Sequence, residues 1–228
     1  MTNELDRLKQ VYIDRKNLKI SYNPVLPENY YLLNSREKMF IISLLKYFGT
    51  NFENLKVLDL GFGSGIDIFT LIKSGFNIKN IYGVEVIEER FNNLKNIIPN
   101  ANLKLNSGFN IPFESENFDL VIQSTVFSSI LDKNSRKLLS NEILRVLKPN
   151  GKIFFYDLKF NNPWNKNVIK IDKNELKYLF ENCKIKSNSL TLNPVIVREI
   201  AKNSIIICEI LEKIPILCSH YYSIIEKK

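Results

Sequence analysis

Sulfur and imidazole are scarce in this chain of 228 residues, which has one histidine and three cysteines. Cys183, Cys208 and Cys218 are odd in number, and no C-x-x-C pair occurs. That pattern argues against a disulfide framework and fits reduced thiols in a cytosolic protein. With His220 as the one imidazole, no cluster of His, Cys and acid stands at ligand spacing, so no metal is expected. Long apolar runs are also lacking. The most apolar stretch, residues 204–218, is interrupted by Glu209, Glu212 and Lys213, too short and too charged to span a bilayer. The first six residues carry Glu4 and Asp6 where a secretory leader needs a basic start. The expectation is a soluble, cytoplasmic protein. Acidic residues fall short of basic ones, leaving a formal charge of +8, but the lysines are scattered among acids and form no dense run. A diffuse excess of this kind reads as composition rather than as a nucleic-acid surface.

The chain does contain an alternation of short apolar runs with amphipathic stretches. Hydrophobic residues make up 45% and charged ones 25%, ordinary for one globular α/β domain. Residues 1–33 are polar and aromatic with weak periodicity, and Pro24 and Pro27 mark a loop. Asn34 and Glu37 have capping-box spacing, and residues 35–48 follow at helical period. This predicts an N-terminal helical extension or lid over residues 1–50 and a single compact unit over residues 51–228. Strands are expected at 56–60, 81–86, 103–105, 118–122 and 151–156, with helices at 66–74, 88–98 and 133–147. Such alternation implies parallel βαβ units with right-handed crossovers. Beyond residue 160 the reading is a helix at 173–183, a strand at 184–192, a long helix at 195–211 and a closing strand at 218–225. The sheet should have about seven strands.

The first strand runs into Asp59-Leu60-Gly61-Phe62-Gly63-Ser64-Gly65. Glycines there permit a tight turn and a close approach of backbone N–H groups to a ligand. A dinucleotide fingerprint would need a third glycine at the position of Ile66. Glu85 ends the second strand, where an acid can accept from both ribose hydroxyls of a nucleoside. Val86 beside it could pack on the base. Ser107-Gly108-Phe109-Asn110-Ile111-Pro112-Phe113 precedes the fourth strand, and the segment from Glu142 to Lys152 contains Arg145-Val146-Leu147-Lys148-Pro149-Asn150-Gly151. Together, in this order, the four segments resemble those of the class I S-adenosylmethionine-dependent methyltransferases.

The resemblance implies a Rossmann-like, mostly parallel sheet with helices on both faces and the last strand antiparallel. It implies S-adenosyl-L-methionine as cofactor, with S-adenosyl-L-homocysteine as product. It assigns the cofactor to Asp59, Gly61, Phe62, Gly63, Gly65, Glu85, Val86, Ser107, Gly108 and Phe109. Ser107 stands where the family has an Asp at the adenine. Arg36 could meet the methionine carboxylate if its helix folds over the cleft, or could be a solvated helix-end charge. The carboxyl ends of the strands would gather Gln123, Ser124 and Asp157 around cofactor and acceptor. Gln123 stands where base-methylating enzymes carry N/D-P-P-Y/F, and that motif is absent.

The acceptor side is less defined. Asp157 could be a general base or a strand-end cap, and His220 a base or a structural residue. Tyr22, Tyr30 and Trp164 could wall a pocket. Residues 156–165 and 214–221 look like a bacterial subgroup acting on polysaccharides and small molecules. On that likeness the expected acceptor is a sugar or similar polar metabolite, methylated on oxygen, with Asn161 or Asn162 contacting its hydroxyls. A small-molecule partner is expected, without nucleic acid or membrane insertion, for a monomer or homodimer. RNA or protein methylation, a nicotinamide-dependent oxidoreductase and a non-catalytic cofactor-binding protein stay open as alternatives.

Overall fold

A computed structural model describes residues 2–17, 23–106 and 108–228. Its centre is a seven-stranded sheet in the order β3-β2-β1-β4-β5-β7-β6. The strands are β1 (Val57–Leu60), β2 (Ile81–Glu85), β3 (Asn102–Leu105), β4 (Phe118–Ser124), β5 (Leu147–Leu158), β6 (Lys184–Leu192) and β7 (Cys218–Glu226). The pairs among β1 to β5 are parallel, and β7 runs antiparallel to both β5 and β6. Central strands of such a sheet are covered on both faces and need unbroken apolar runs. In β1 all four residues are buried, three of them apolar with Asp59 between Leu58 and Leu60.

The helices are α1 (Thr2–Asn17), α2 (Pro27–Phe48), α3 (Ile66–Lys73), α4 (Glu88–Ile97), α5 (Lys133–Val146), α6 (Lys173–Leu179), α7 (Pro194–Ile200) and α8 (Ile205–Glu212). On one face of the sheet Leu58, Val121, Ile153 and Phe155 pack with Ile143 of α5 and Leu176 of α6. On the other, Val57, Ile122 and Phe154 pack with Phe40 and Leu44 of α2, Ile68 and Leu71 of α3, and Leu94 of α4. Phe40 meets Phe154 edge-on at 5.6 Å, so α2 is part of the core layer.

The helical extension expected at the N-terminus is present, beginning with α1. Two local expectations change. Helix α2 starts at Pro27 rather than near residue 35, because Pro27 occupies its first turn after an extended Leu26. Asn34 and Glu37 therefore lie inside α2, and Glu37 accepts from Thr70 and pairs with Lys73 instead of capping. The long helix expected at 195–211 is two helices: α7 ends at Ala201, and the Ser204 hydroxyl caps a new start at α8.

Candidate active site

The carboxyl ends of β1, β2 and β4 open on a cavity of about 240 Å³. Its floor begins at the turn after β1. Gly61, Gly63 and Gly65 all hold positive φ, at 68°, 55° and 81°. The Gly61 amide donates to the Val84 carbonyl at 2.8 Å, and Gly65 becomes the N-cap residue of α3. A Cβ on Gly61 would stand 2.8 Å from Val126 Cγ2. The loop after β4 leaves no room there for a side chain.

Glu85 ties this turn to β2. One carboxylate oxygen accepts from the Gly63 amide at 2.9 Å, and the other from Val86 at 2.8 Å and Ile87 at 3.0 Å. Although it is 3% exposed, Glu85 lines the cavity together with Gly61, Val86, Gly108 and Phe109. Asn106 joins them, its amide donating to the Gly108 and Asn110 carbonyls. Asn106 was missed in the sequence, where an asparagine after a short strand has no distinguishing pattern. Ser107 and Tyr22 lie outside the described residues.

A polar cluster reaches the cavity through Ser124. Its hydroxyl donates to Asp67 Oδ2 at 2.9 Å, and Arg36 pairs with Asp67 Oδ1 at 2.9 Å. Asp59 is buried beside them, and its Oδ2 has no hydrogen-bond partner. Burial, then the Asp67 charge, raises the Asp59 carboxyl well above the ordinary carboxylate range, against the pull of Arg36. Asp59 does not itself line the cavity, and an orphaned buried carboxyl oxygen beside a glycine turn fits a ligand that donates a hydrogen bond or carries a cationic group. Arg36 is spent on Asp67 and does not itself line the cavity.

The roof is α1. Leu5, Leu8, Val11 and Tyr12 face the cavity at helical spacing. Glu4 accepts from the Leu131 amide at 2.7 Å, Arg7 donates to the Ser129 carbonyl, and Tyr12 lies 4.5 Å beneath the Arg90 guanidinium. The helix is thereby docked on the loop after β4 at one end and on α4 at the other.

Residues 58–155 match a family model described as a methyltransferase domain. Over these residues the chain is similar to methyltransferase domains, and its fold is that of solved S-adenosylmethionine-dependent methyltransferases. An uncharacterized methyltransferase of Schizosaccharomyces pombe is 35% identical over 114 residues, 49% of this chain and 43% of that protein. The arsenite methyltransferase of Mus musculus is 28% identical over 122 residues, 46% of this chain and 31% of the mouse protein. The chain thus spans less than half the length of the curated relatives it matches. Among solved structures, a Pyrococcus horikoshii protein superposes with a TM-score of 0.61 at 18% identity, covering 91% of this chain and 98% of that one. A Methanosarcina mazei SAM-dependent methyltransferase gives 0.58 at 15%, covering 82% and 96%. At such identities the likeness is one of fold.

Several other residues expected at the site stand away from the cavity. Phe62 is a core residue, its ring against Gly83. Gln123 is sealed in the sheet, bonded to the Tyr156 carbonyl and the Val126 amide. Tyr30 lies on a groove between α2 and α8. Asn161 accepts from the Lys170 amide and Asn162 from the Trp164 amide, so both brace an outer loop, and Trp164 is 82% exposed. From that loop Asn167 lines the cavity instead.

The two candidate bases are buried in the sheet. Asp157 caps the short turn at residues 127–129, accepting from the Ser128 amide at 3.2 Å and from Leu158 at 2.8 Å. Burial pushes its carboxyl up to about 6. His220 stacks on Tyr156 at 4.5 Å with 6° between the rings, and its Nδ1 meets the Ser219 hydroxyl at 2.8 Å. Burial, then the Arg36 charge, lowers it to about 3. The fold therefore favours protonated Asp157, a stabilisation complete below its ordinary 3.8 and lost as pH rises through about 6. For His220 the sign is opposite, with stability present above 6.5 and lost as pH falls toward 3. Asp157→Asn removes the first effect alone. Relative to wild type, its stability should improve by about 2–3 kcal/mol between pH 4 and pH 7, at about 1.4 kcal/mol per pH unit. Urea unfolding at the two pH values measures this, and parallel profiles would refute it.

Proposed function

We propose that this chain transfers a methyl group from S-adenosylmethionine to a small molecule enclosed beneath α1. The observation that carries this reading is the single cavity shared by Gly61, Glu85 and the apolar face of α1. When bound, S-adenosylmethionine supplies an electrophilic methyl group on a sulfonium. Glu85 would accept from the ribose hydroxyls, and Asp59 from the ammonium group. Val86, Gly108 and Phe109 would flank the adenine. Leu5, Leu8 and Val11 exclude water and hold the acceptor, and such orientation can contribute on the order of 7–11 kcal/mol toward the barrier.

A sugar hydroxyl is a weak nucleophile and calls for a base. Asp157 and His220 are sealed in the sheet, and Glu85 is committed to three amides. The described cavity wall otherwise offers apolar side chains with Tyr12, Arg15, Arg90, Asn106, Ser124, Thr125, Ser129 and Asn167, none of them a carboxylate or an imidazole. We therefore favour a compact, largely apolar acceptor whose nucleophile is reactive at neutral pH, such as an amine lone pair, a thiolate or a phenolate. The mouse relative's name points to arsenite, a thiol-seeking acceptor. Cys183, Cys208 and Cys218 do not line the cavity, which gives no support to that substrate here.

Labelled-methyl transfer over a panel of tertiary amines, thiols, phenols and nucleotide sugars tests the proposal. Turnover is expected with at least one of the first three classes. Transfer to nucleotide sugars alone would restore the base-assisted reading, and transfer only to RNA or protein would overturn an enclosed small-molecule site.

A further inference from the structure

The outer faces of α2 and α8 form an apolar surface remote from the cofactor cavity. Between the helices runs a groove of about 940 Å³, floored by Tyr31, Ser35 and Leu190. Along α2, Ile41, Ile42 and Leu45 are exposed, and along α8, Ile206 is 68% and Ile210 57% exposed. Ile207 on α8 and Ile214 and Ile216 just after it are exposed as well. A surface with this many contiguous aliphatic side chains costs solvation unless covered.

We propose that this face is the interface through which two copies of the chain associate. The patch combines a ridge, Ile206 and Ile210, with a groove beside it, so it can be complementary to itself under a twofold axis. Two copies of this helix pair meeting this way would close as a four-helix layer, ridges into grooves. Charge favours a second copy over an acidic partner. The chain carries +8, yet the groove holds three carboxylates, Glu37, Glu209 and Glu212, against Lys38 and Lys213. Here, unlike on the basic remainder, two copies meet without like-charge repulsion. Among the described residues Lys38, Glu209 and Lys213 form no ion pair within the chain, so both signs are open across the axis.

Sedimentation velocity and light scattering test this on the full chain at about 10 µM, above the Kd of a standard-sized interface. The expected mass is twice 26.6 kDa. Ile206→Glu/Ile210→Glu should raise the dimer Kd at least about 100-fold, because charges would be buried at the centre of the contact. Both positions are exposed, so the melting temperature of the monomer should be unchanged. Ile42→Glu on α2 should weaken the dimer independently and carries the test if the double variant misfolds. Trp164→Ala, outside the patch, should leave the mass doubled. A monomeric wild type, an unaltered dimer in the patch variants, or a monomer that instead sediments with neutral lipid vesicles would each overturn the proposal.

Discussion

Replacing Glu85 with alanine is expected to raise the dissociation constant for S-adenosylhomocysteine by at least about 100-fold. The carboxylate makes three backbone hydrogen bonds while 3% exposed. Alanine leaves the Gly63, Val86 and Ile87 amides without that acceptor, at about 1–3 kcal/mol for each donor left buried and unsatisfied. It also removes the group proposed to receive two ribose hydroxyls through charge-assisted bonds, each worth about 1.5–3 kcal/mol. Even partial relaxation leaves a loss near 3 kcal/mol, and about 1.4 kcal/mol is tenfold in affinity. Isothermal titration reads the binding loss, and thermal melting separates it from unfolding. Glu85→Gln keeps the volume and one acceptor oxygen and should fall between the two. A folded Glu85→Ala variant that binds within about threefold of wild type would remove Glu85 from the cofactor site.

Glu85 was legible because its signal is local. A strand end, a glycine turn and an acid at fixed spacing depend on neighbouring residues alone, and β1, β2, β4 and the turn at Gly61 follow from them. The roof was not legible for the converse reason. Leu5, Leu8 and Val11 are three apolar positions in a largely polar stretch, and what docks them is the Glu4 contact with Leu131, 127 residues away. The Arg36, Asp67 and Ser124 cluster likewise joins three elements separated in sequence. Asp157 and His220 show a different limit. Asp157 was expected at the end of the fifth strand and His220 on a late strand, where both are found, but successive strand residues point to opposite faces, and one step of parity decides between cavity and core. Asp157 turns into the capping of residues 127–129, and His220 lies opposite Leu158 in the sheet with its ring on Tyr156. In the outer loop, Asn162 and Asn165 fold back on the amides two residues ahead, which leaves Trp164 in solvent and sends Asn167 to the cavity.

Gly65→Ala should be the most destabilising of the conservative changes at the turn, because two separate effects coincide there. At φ +81° an L-residue is disfavoured by about 1–2 kcal/mol. The new Cβ would also lie 2.5 Å from Leu94 Cδ1 and 3.3 Å from its Cγ. Leu94 is itself 2% exposed among Phe62, Ile68 and Ile98, so it has little space to withdraw. Overpacking of this kind costs about 1–3 kcal/mol. The sum, about 2–5 kcal/mol, corresponds to a melting temperature lower by about 5–15 °C for a chain of this size. Gly75→Ala isolates the backbone effect, since Gly75 has φ +97° and a Cβ added there would meet nothing within 4 Å. Adding Leu94→Ala to Gly65→Ala relieves the collision, so the pair should cost less than the sum of the two single changes. If Gly65→Ala melts no lower than Gly75→Ala, the packing of α4 against the turn does not constrain this position. The collision matters beyond stability, because Leu94 presses on the same turn whose Gly63 amide Glu85 holds. Cofactor affinity should therefore fall in Gly65→Ala and recover in part when Leu94 is shortened.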